Sequence, residues 1–114
     1  MSLFLQKHRA KVHKRAIEKW GCSTQAVVAL EEMSELQKEI CKHFRGSDNL
    51  DAMAEEIADV IIVLEQLQIM LELNEMVEKK LDAKIFRLFG RVHDTSLTTE
   101  ECEEIVSRLA ALRE

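Results

Sequence analysis

The stretch Glu55-Glu56-Ile57-Ala58-Asp59-Val60-Ile61-Ile62-Val63-Leu64, continued by Leu67, Ile69, Met70 and Leu71, decides how the rest of the chain is read. Val60 to Val63 are β-branched and in isolation suit a strand. Polar and straight-chain residues on both flanks, and the length of the pattern, favour a helix beginning near Leu50. On a helical wheel its apolar residues point in nearly every direction, which predicts a central helix covered by neighbours on several sides. Glu56 and Asp59 share a sector with Ala52, Val63 and Met70. Ionised carboxylates in such a place are costly unless they are paired or bind a cation.

Toward the N-terminus, Arg45-Gly46-Ser47-Asp48-Asn49 is a turn by composition, with Asp48 the expected N-cap of the central helix. The helix before it is expected over about 24–44, capped by Ser23 or Thr24 after a break at Gly21. Leu30, Met33, Gln37, Ile40 and Phe44 trace its largely apolar stripe. A basic amphipathic helix over about 3–19 sets His8, Arg9, Lys11, His13, Lys14, Arg15 and Lys19 against Leu5, Val12, Ala16 and Ile17. Toward the C-terminus, Asn74 is the expected cap of a helix over about 75–89, either separate from the central helix or its bent continuation. Val92 to Ser96 after Gly90 reads as loop, and Thr98-Thr99-Glu100-Glu101 has capping-box spacing before Ile105, Leu109 and Leu112. The fold expected is an all-α bundle of four to five helices. Its central helix has more apolar directions than one protomer covers, so the core is completed by oligomerisation, as a homodimer or homotetramer. A helical domain spans 1–90, and 91–114 form a loop and helix packing on it or on a partner protomer.

Composition agrees with this class. The 114 residues suffice for one ordinary domain and are too few for two independent cores. Hydrophobic residues make up 46% and charged residues 32%, with no proline, no tyrosine and three glycines, which excludes collagen-like and disordered chains. A net charge of −5 argues against a nucleic-acid duplex as the main partner, and an anionic ligand would need an accompanying cation. Cys22, Cys41 and Cys102 form no C-x-x-C pair and read as free, buried thiols of a cytoplasmic protein. The N-terminus lacks a signal-peptide pattern, and Val60 to Leu64 falls far short of the roughly 20 apolar residues of a membrane span, so no membrane partner is expected.

Two carboxylates three residues apart on a helix lie about 4.5 Å apart along the axis and about 60° apart around it, and can share one hard cation. The chain has seven acidic pairs at that spacing, so spacing alone selects nothing. Environment singles out Glu56/Asp59, in the largely apolar helix, and topology adds Glu32/Glu35, on the side of their helix away from the Leu30–Phe44 stripe. Glu32 and Glu35 lie 14 and 11 residues before Gly46, and Glu56 and Asp59 lie 10 and 13 after it. Folded as an antiparallel pair, the two helices bring all four to one place. Four converging carboxylates call for an oxygen-preferring cation, Mg²⁺ or Mn²⁺ before Zn²⁺. No histidine follows a glutamate by three, which argues against a di-iron bundle, and His8, His13, His43 and His93 are too scattered to be ligands.

Glu31-Glu32-Met33-Ser34-Glu35-Leu36 and Glu55-Glu56-Ile57-Ala58-Asp59-Val60 together resemble the paired E-x-x-E and E-x-x-D signature of the all-α nucleoside triphosphate pyrophosphohydrolases, the MazG-like superfamily. Lys19-Trp20-Gly21 and Gln25 resemble the lead-in of its small single-domain members, and the likeness covers about residues 17–88. It implies Mg²⁺-dependent hydrolysis of a (d)NTP to (d)NMP and pyrophosphate, with Mn²⁺ a substitute metal. By position it makes Glu32, Glu35, Glu56 and Asp59 the metal ligands and Glu31 a base or a group behind the ligands. It places phosphate contacts at Lys80, Lys84 and Arg87, where Lys84 stands in for the asparagine of a K-x-x-x-N-x-x-R pattern, and base contacts at Trp20 and Gln25. The alternative reading is a non-catalytic helical interaction module with an acidic cation-binding site.

Overall fold

The computed structural model describes residues 3–92 and 97–111, with side chains from residue 8 onward and excepting residue 109. Five helices follow one another: α1 (Leu3–Trp20), α2 (Cys22–Phe44), α3 (Leu50–Met70), α4 (Asn74–Val92) and α5 (Thr99–Ala111). The described residues contain no strand, so the all-α reading holds and the β-branched run is helical. The expected loop over 93–96, and the apolar side chains of Leu5, Leu109 and Leu112, lie outside the described residues. The chain divides into two compact units, Met1–Leu73 and Asn74–Glu114, at the start of α4.

The helix boundaries have local physical causes, some of them other than those read from the sequence. Gly21 itself is the N-cap of α2: its φ of 90° and ψ of 154° suit glycine, its carbonyl accepts from Gln25 N–H at 3.1 Å, and neither Ser23 nor Thr24 caps the helix. The end of α2 is a Schellman motif. Gly46, at φ 106°, donates to the His43 carbonyl at 3.0 Å, and Ser47 donates to the Lys42 carbonyl at 3.1 Å. Asn49 rather than Asp48 is the N-cap of α3, and it caps with its backbone carbonyl, which accepts from Met53 N–H at 2.9 Å. Its side-chain amide instead reaches back to α2, donating to the Glu39 carbonyl at 2.9 Å and to Glu39 Oε2 at 2.6 Å.

Helices α3 and α4 are separate. A second Schellman motif ends α3, with Glu72 donating to the Ile69 carbonyl at 3.3 Å and Leu73 to the Gln68 carbonyl at 2.8 Å. The left-handed position is filled by Glu72, at φ 53°, instead of a glycine. Helix α4 begins at Asn74 as expected but runs through Gly90 to Val92. Before α5, Thr98 Oγ1 accepts from Glu101 N–H at 3.1 Å while Thr98 N–H donates to Glu101 Oε2 at 3.3 Å, the reciprocal capping box expected at this sequence. Within the second unit Arg108 of α5 lies 3.9 Å from Glu78 and 3.8 Å from Asp82 of α4.

In the first unit α2 and α3 pack antiparallel across a narrow seam. Gln25 donates to Gln66 at one level, Ala29 and Val63 are the buried apolar residues at the next, and Glu32 meets Asp59 and Glu56 at the third. Each turn forward on α2 is thus matched by a turn backward on α3. The apolar stripe of α2 is not part of this seam: Leu30 is 66% exposed, Phe44 83% and Ile40 40%. Helix α3 is likewise covered on fewer sides than its composition predicts, with Ile57, Ile61, Ile62 and Leu64 exposed. The thiols differ from expectation too, since Cys22 and Cys41 are exposed and Cys102 is partly so. No described helix is long and apolar enough to cross a membrane.

Candidate functional site

The seam sets the site. Glu32 stands on the α2 face that also carries Gln25 and Ala29, so the packing that buries Ala29 against α3 brings the Glu32 carboxylate to the same neighbour. Asp59 and Glu56 lie one and two turns back from Val63 on the facing side of α3. Glu32, Glu56 and Asp59 each present a carboxylate oxygen, all within 4.8 Å of one another, and all three residues are half-buried. One oxygen of Glu56, Oε2, is buried and has no hydrogen-bond partner. A buried carboxylate oxygen without a donor is a costly group, and a cation is the partner that fits it.

The electrostatics follow from the crowding. The Glu32 carboxyl is pushed above the usual carboxylate range, first by burial and then by the carboxylates of Asp59, Glu56 and Glu35 crowded beside it. Like charges close together favour a shared proton or a bound cation. All three donors are carboxylate oxygens, which suits Mg²⁺, Mn²⁺ or Ca²⁺ better than Zn²⁺. Around an octahedral Mg²⁺ ion neighbouring oxygens stand about 2.9 Å apart and opposite ones about 4.1 Å, so the three carboxylates would have to draw in together to share one ion.

The other residues singled out in the sequence are placed as follows. Glu35 is exposed and outside the three-carboxylate cluster, yet near enough to raise Glu32. Glu31, on the same helix, is exposed and outside the cluster as well. Trp20, the last residue of α1, is 54% exposed, with the Lys19 ammonium 5.3 Å from its ring centre. Gln25 is buried, and its amide is engaged by Gln66. Lys80, Lys84 and Arg87 are exposed on α4 in the second unit. They fall four and three residues apart and form one stripe along that helix, which Arg91, four residues further on and also exposed, extends. Sequence reading passed over Glu65 and gave His13 no role, although an acid beside a glutamine near the end of an apolar helix, and a histidine on a short basic one, were both visible. In the structure His13 is buried against Glu65, at 2.6 Å.

Comparison with protein-family models, curated proteins and solved structures gives no match. The fold and the cluster therefore define a class, an all-α protein with a carboxylate site between two antiparallel helices.

Proposed function

We propose that this protein is a divalent-cation-dependent nucleoside triphosphate pyrophosphohydrolase that converts a (d)NTP to (d)NMP and pyrophosphate, using Mg²⁺ or Mn²⁺. The observation that carries the reading is the convergence of Glu32, Glu56 and Asp59 from the E-x-x-E and E-x-x-D motifs, with Glu56 Oε2 left without a donor. These three residues would hold the cation, and Glu35, beside Glu32, is the fourth donor, directly or through water. When bound, the cation offsets phosphate charge, orients the phosphate chain and acidifies the attacking water.

The chain's own residues do the rest. Glu31, exposed next to the Glu32 ligand, takes the proton of the attacking water or orders it. Lys80, Lys84 and Arg87 form an exposed cationic stripe on α4, of the kind that pairs with a phosphate chain. The exposed Trp20 ring offers a stacking surface for a base, whereas the Gln25 amide, expected beside it, is buried and spent on Gln66. In this reading the protein is cytoplasmic and works as a homodimer or homotetramer, because the α2 stripe of Leu30, Ile40 and Phe44 and the α3 residues Ile57, Ile61 and Leu64 need a cover that a second copy supplies.

The test is turnover of a panel of NTPs and dNTPs by the purified full chain with Mg²⁺, with products resolved by chromatography. Equal amounts of monophosphate and pyrophosphate support the reading. Absence of turnover across the panel, or orthophosphate as the primary product, contradicts it.

A further inference from the structure

Helix α1 is joined to the α2–α3 pair by a chain of polar side chains. Among the described residues of the first unit, the buried polar side chains His13, Gln25 and Gln66 outnumber the buried apolar ones, Ala29 and Val63. Each bond in the chain fixes the next. Gln25 Nε2 donates to Gln66 Oε1 at 2.7 Å, which leaves Gln66 Nε2 facing His13 Nδ1 at 3.3 Å. Nδ1 is therefore the acceptor, the ring proton sits on Nε2, and Nε2–H donates to Glu65 Oε2 at 2.6 Å. Arg9 of α1 pairs with the other oxygen of Glu65. The hydrogen bonds thus have one direction through α2, α3 and α1.

We infer that this chain is a proton-set relay: uptake of a second proton at His13 Nδ1 turns the Gln66 and Gln25 amides over together and reverses the two hydrogen bonds that run from Gln25 through Gln66 to His13. The inference goes beyond the hydrolase reading and does not rest on it. A proton on Nδ1 would face the Gln66 amide N–H, two donors opposed in a buried place, which forfeits the bond and strands both groups. Rotation of the Gln66 amide presents Oε1 to Nδ1–H but turns its NH₂ toward the NH₂ of Gln25. Gln25 must then rotate as well and offer its Oε1. The two end arrangements satisfy every partner and the mixed one does not, so the side chains switch as a unit. Among the described residues two charged groups bear on the ring: Glu65 from α3, which accepts from Nε2–H in both states, and Arg9 from α1, which shares that carboxylate. Helix α2 contributes the neutral amide of Gln25.

The test is a pH titration of the uniformly ¹⁵N-labelled full chain by NMR, following the His13 ring nitrogens and the side-chain amides of Gln25 and Gln66. At pH 8 His13 should carry its proton on Nε2 alone. On acidification both amide groups should shift with the midpoint of the His13 ring. In Gln66→Met, His13 should still titrate while the Gln25 amide becomes flat across the same range. A ring protonated on Nδ1 at pH 8, amides that ignore the His13 midpoint, or a Gln25 amide that still follows it in Gln66→Met would each overturn the relay. The first two readouts need no variant, so a misfolded Gln66→Met leaves them decisive.

Discussion

Gln25 and Gln66 face each other across the α2–α3 seam at 2.7 Å, and the same two helix faces, followed two turns toward the connecting turn, end in Glu32 and Asp59. Register and site are therefore one property of this helix pair. The amide pair, the Ala29–Val63 level and the carboxylate cluster are successive steps of one antiparallel packing.

Crowded acids make the cluster a source of instability that a bound cation would relieve. The Glu32 carboxyl titrates above its ordinary value, so between the unfolded and native values the folded state binds more proton than the unfolded chain. The sign follows: stability from this group is fully present below about pH 4.5 and is lost as pH rises through the raised native value. Without divalent cations Glu32→Gln should therefore melt higher than the parent at pH 7.5, with the gap narrowing as pH falls toward 4.5. Adding Mg²⁺ should raise the parent's melting temperature and leave that of Glu32→Gln nearly unchanged. Thermal melts with and without Mg²⁺ check both statements, and no Mg²⁺ response in the parent would refute them.

Glu39 behaves in the opposite way. The Asn49 amide, and after it Lys42 and Lys38, hold its carboxyl below the ordinary value, against a smaller opposing push from burial. That stabilisation is present above about pH 4.5 and is lost as pH falls through the lowered native value. Asn49→Ala should lower the denaturation midpoint at pH 7 and cost less at pH 3, measured by urea unfolding at the two pH values. An equal loss at both would show that the Glu39 carboxylate is not the partner that matters.

The left-handed residue ending α3 is a glutamate at φ 53°. Replacing it by glycine removes a backbone strain of about 1–2 kcal/mol, partly offset by the larger unfolded-state freedom of glycine. Glu72→Gly should raise unfolding stability by about 0.5–1 kcal/mol, and Glu72→Val should lower it. Chemical denaturation of the two variants, compared with the parent, decides the point.

Much of the molecule was legible because its signals are local. Thr98 and Glu101 lie three residues apart and form the capping box that this spacing predicts, and Gly46 ends α2 where the turn composition places it. Asp48 and Asn49 are adjacent and equally good caps in sequence; that Asn49 is used, with its side chain spent on Glu39, depends on a helix ten residues away. Glycine is the usual punctuation, and it misled at Gly90, where α4 continues, and gave no sign of the break at Glu72. In the site, periodicity placed Glu32, Glu56 and Asp59 on facing sides, since Glu32 stands three residues after the buried Ala29 and Asp59 and Glu56 stand four and seven before the buried Val63. Glu35 is turned about 60° further round α2, and whether a residue at that angle reaches the cluster is a matter of helix crossing that spacing does not contain. The polar chain of His13, Glu65, Gln66 and Gln25 was invisible for the same reason, as its members come from three helices.

The uncovered apolar faces yield a prediction about assembly. Phe44 and Leu30 on α2 are among the most exposed large apolar side chains of the first unit. The parent should elute as a dimer or larger in size-exclusion chromatography with light scattering, and Leu30→Glu combined with Phe44→Glu should shift it toward monomer while helical content by circular dichroism persists. A parent that is monomeric at tens of micromolar would remove the basis of this expectation.

In the proposed function, the carboxylates on the α2–α3 seam would hold the cation on which nucleotide hydrolysis depends. The most direct measurement of this is Mg²⁺-dependent pyrophosphate release from the best substrate of the panel by the parent and by Glu56→Gln combined with Asp59→Asn, each verified as folded by circular dichroism. The account predicts release by the parent that stops when Mg²⁺ is chelated, and a rate at least about 100-fold lower in the double variant, beyond the loss typical of groups that only support a metal ligand. Release undiminished in the folded double variant would contradict it.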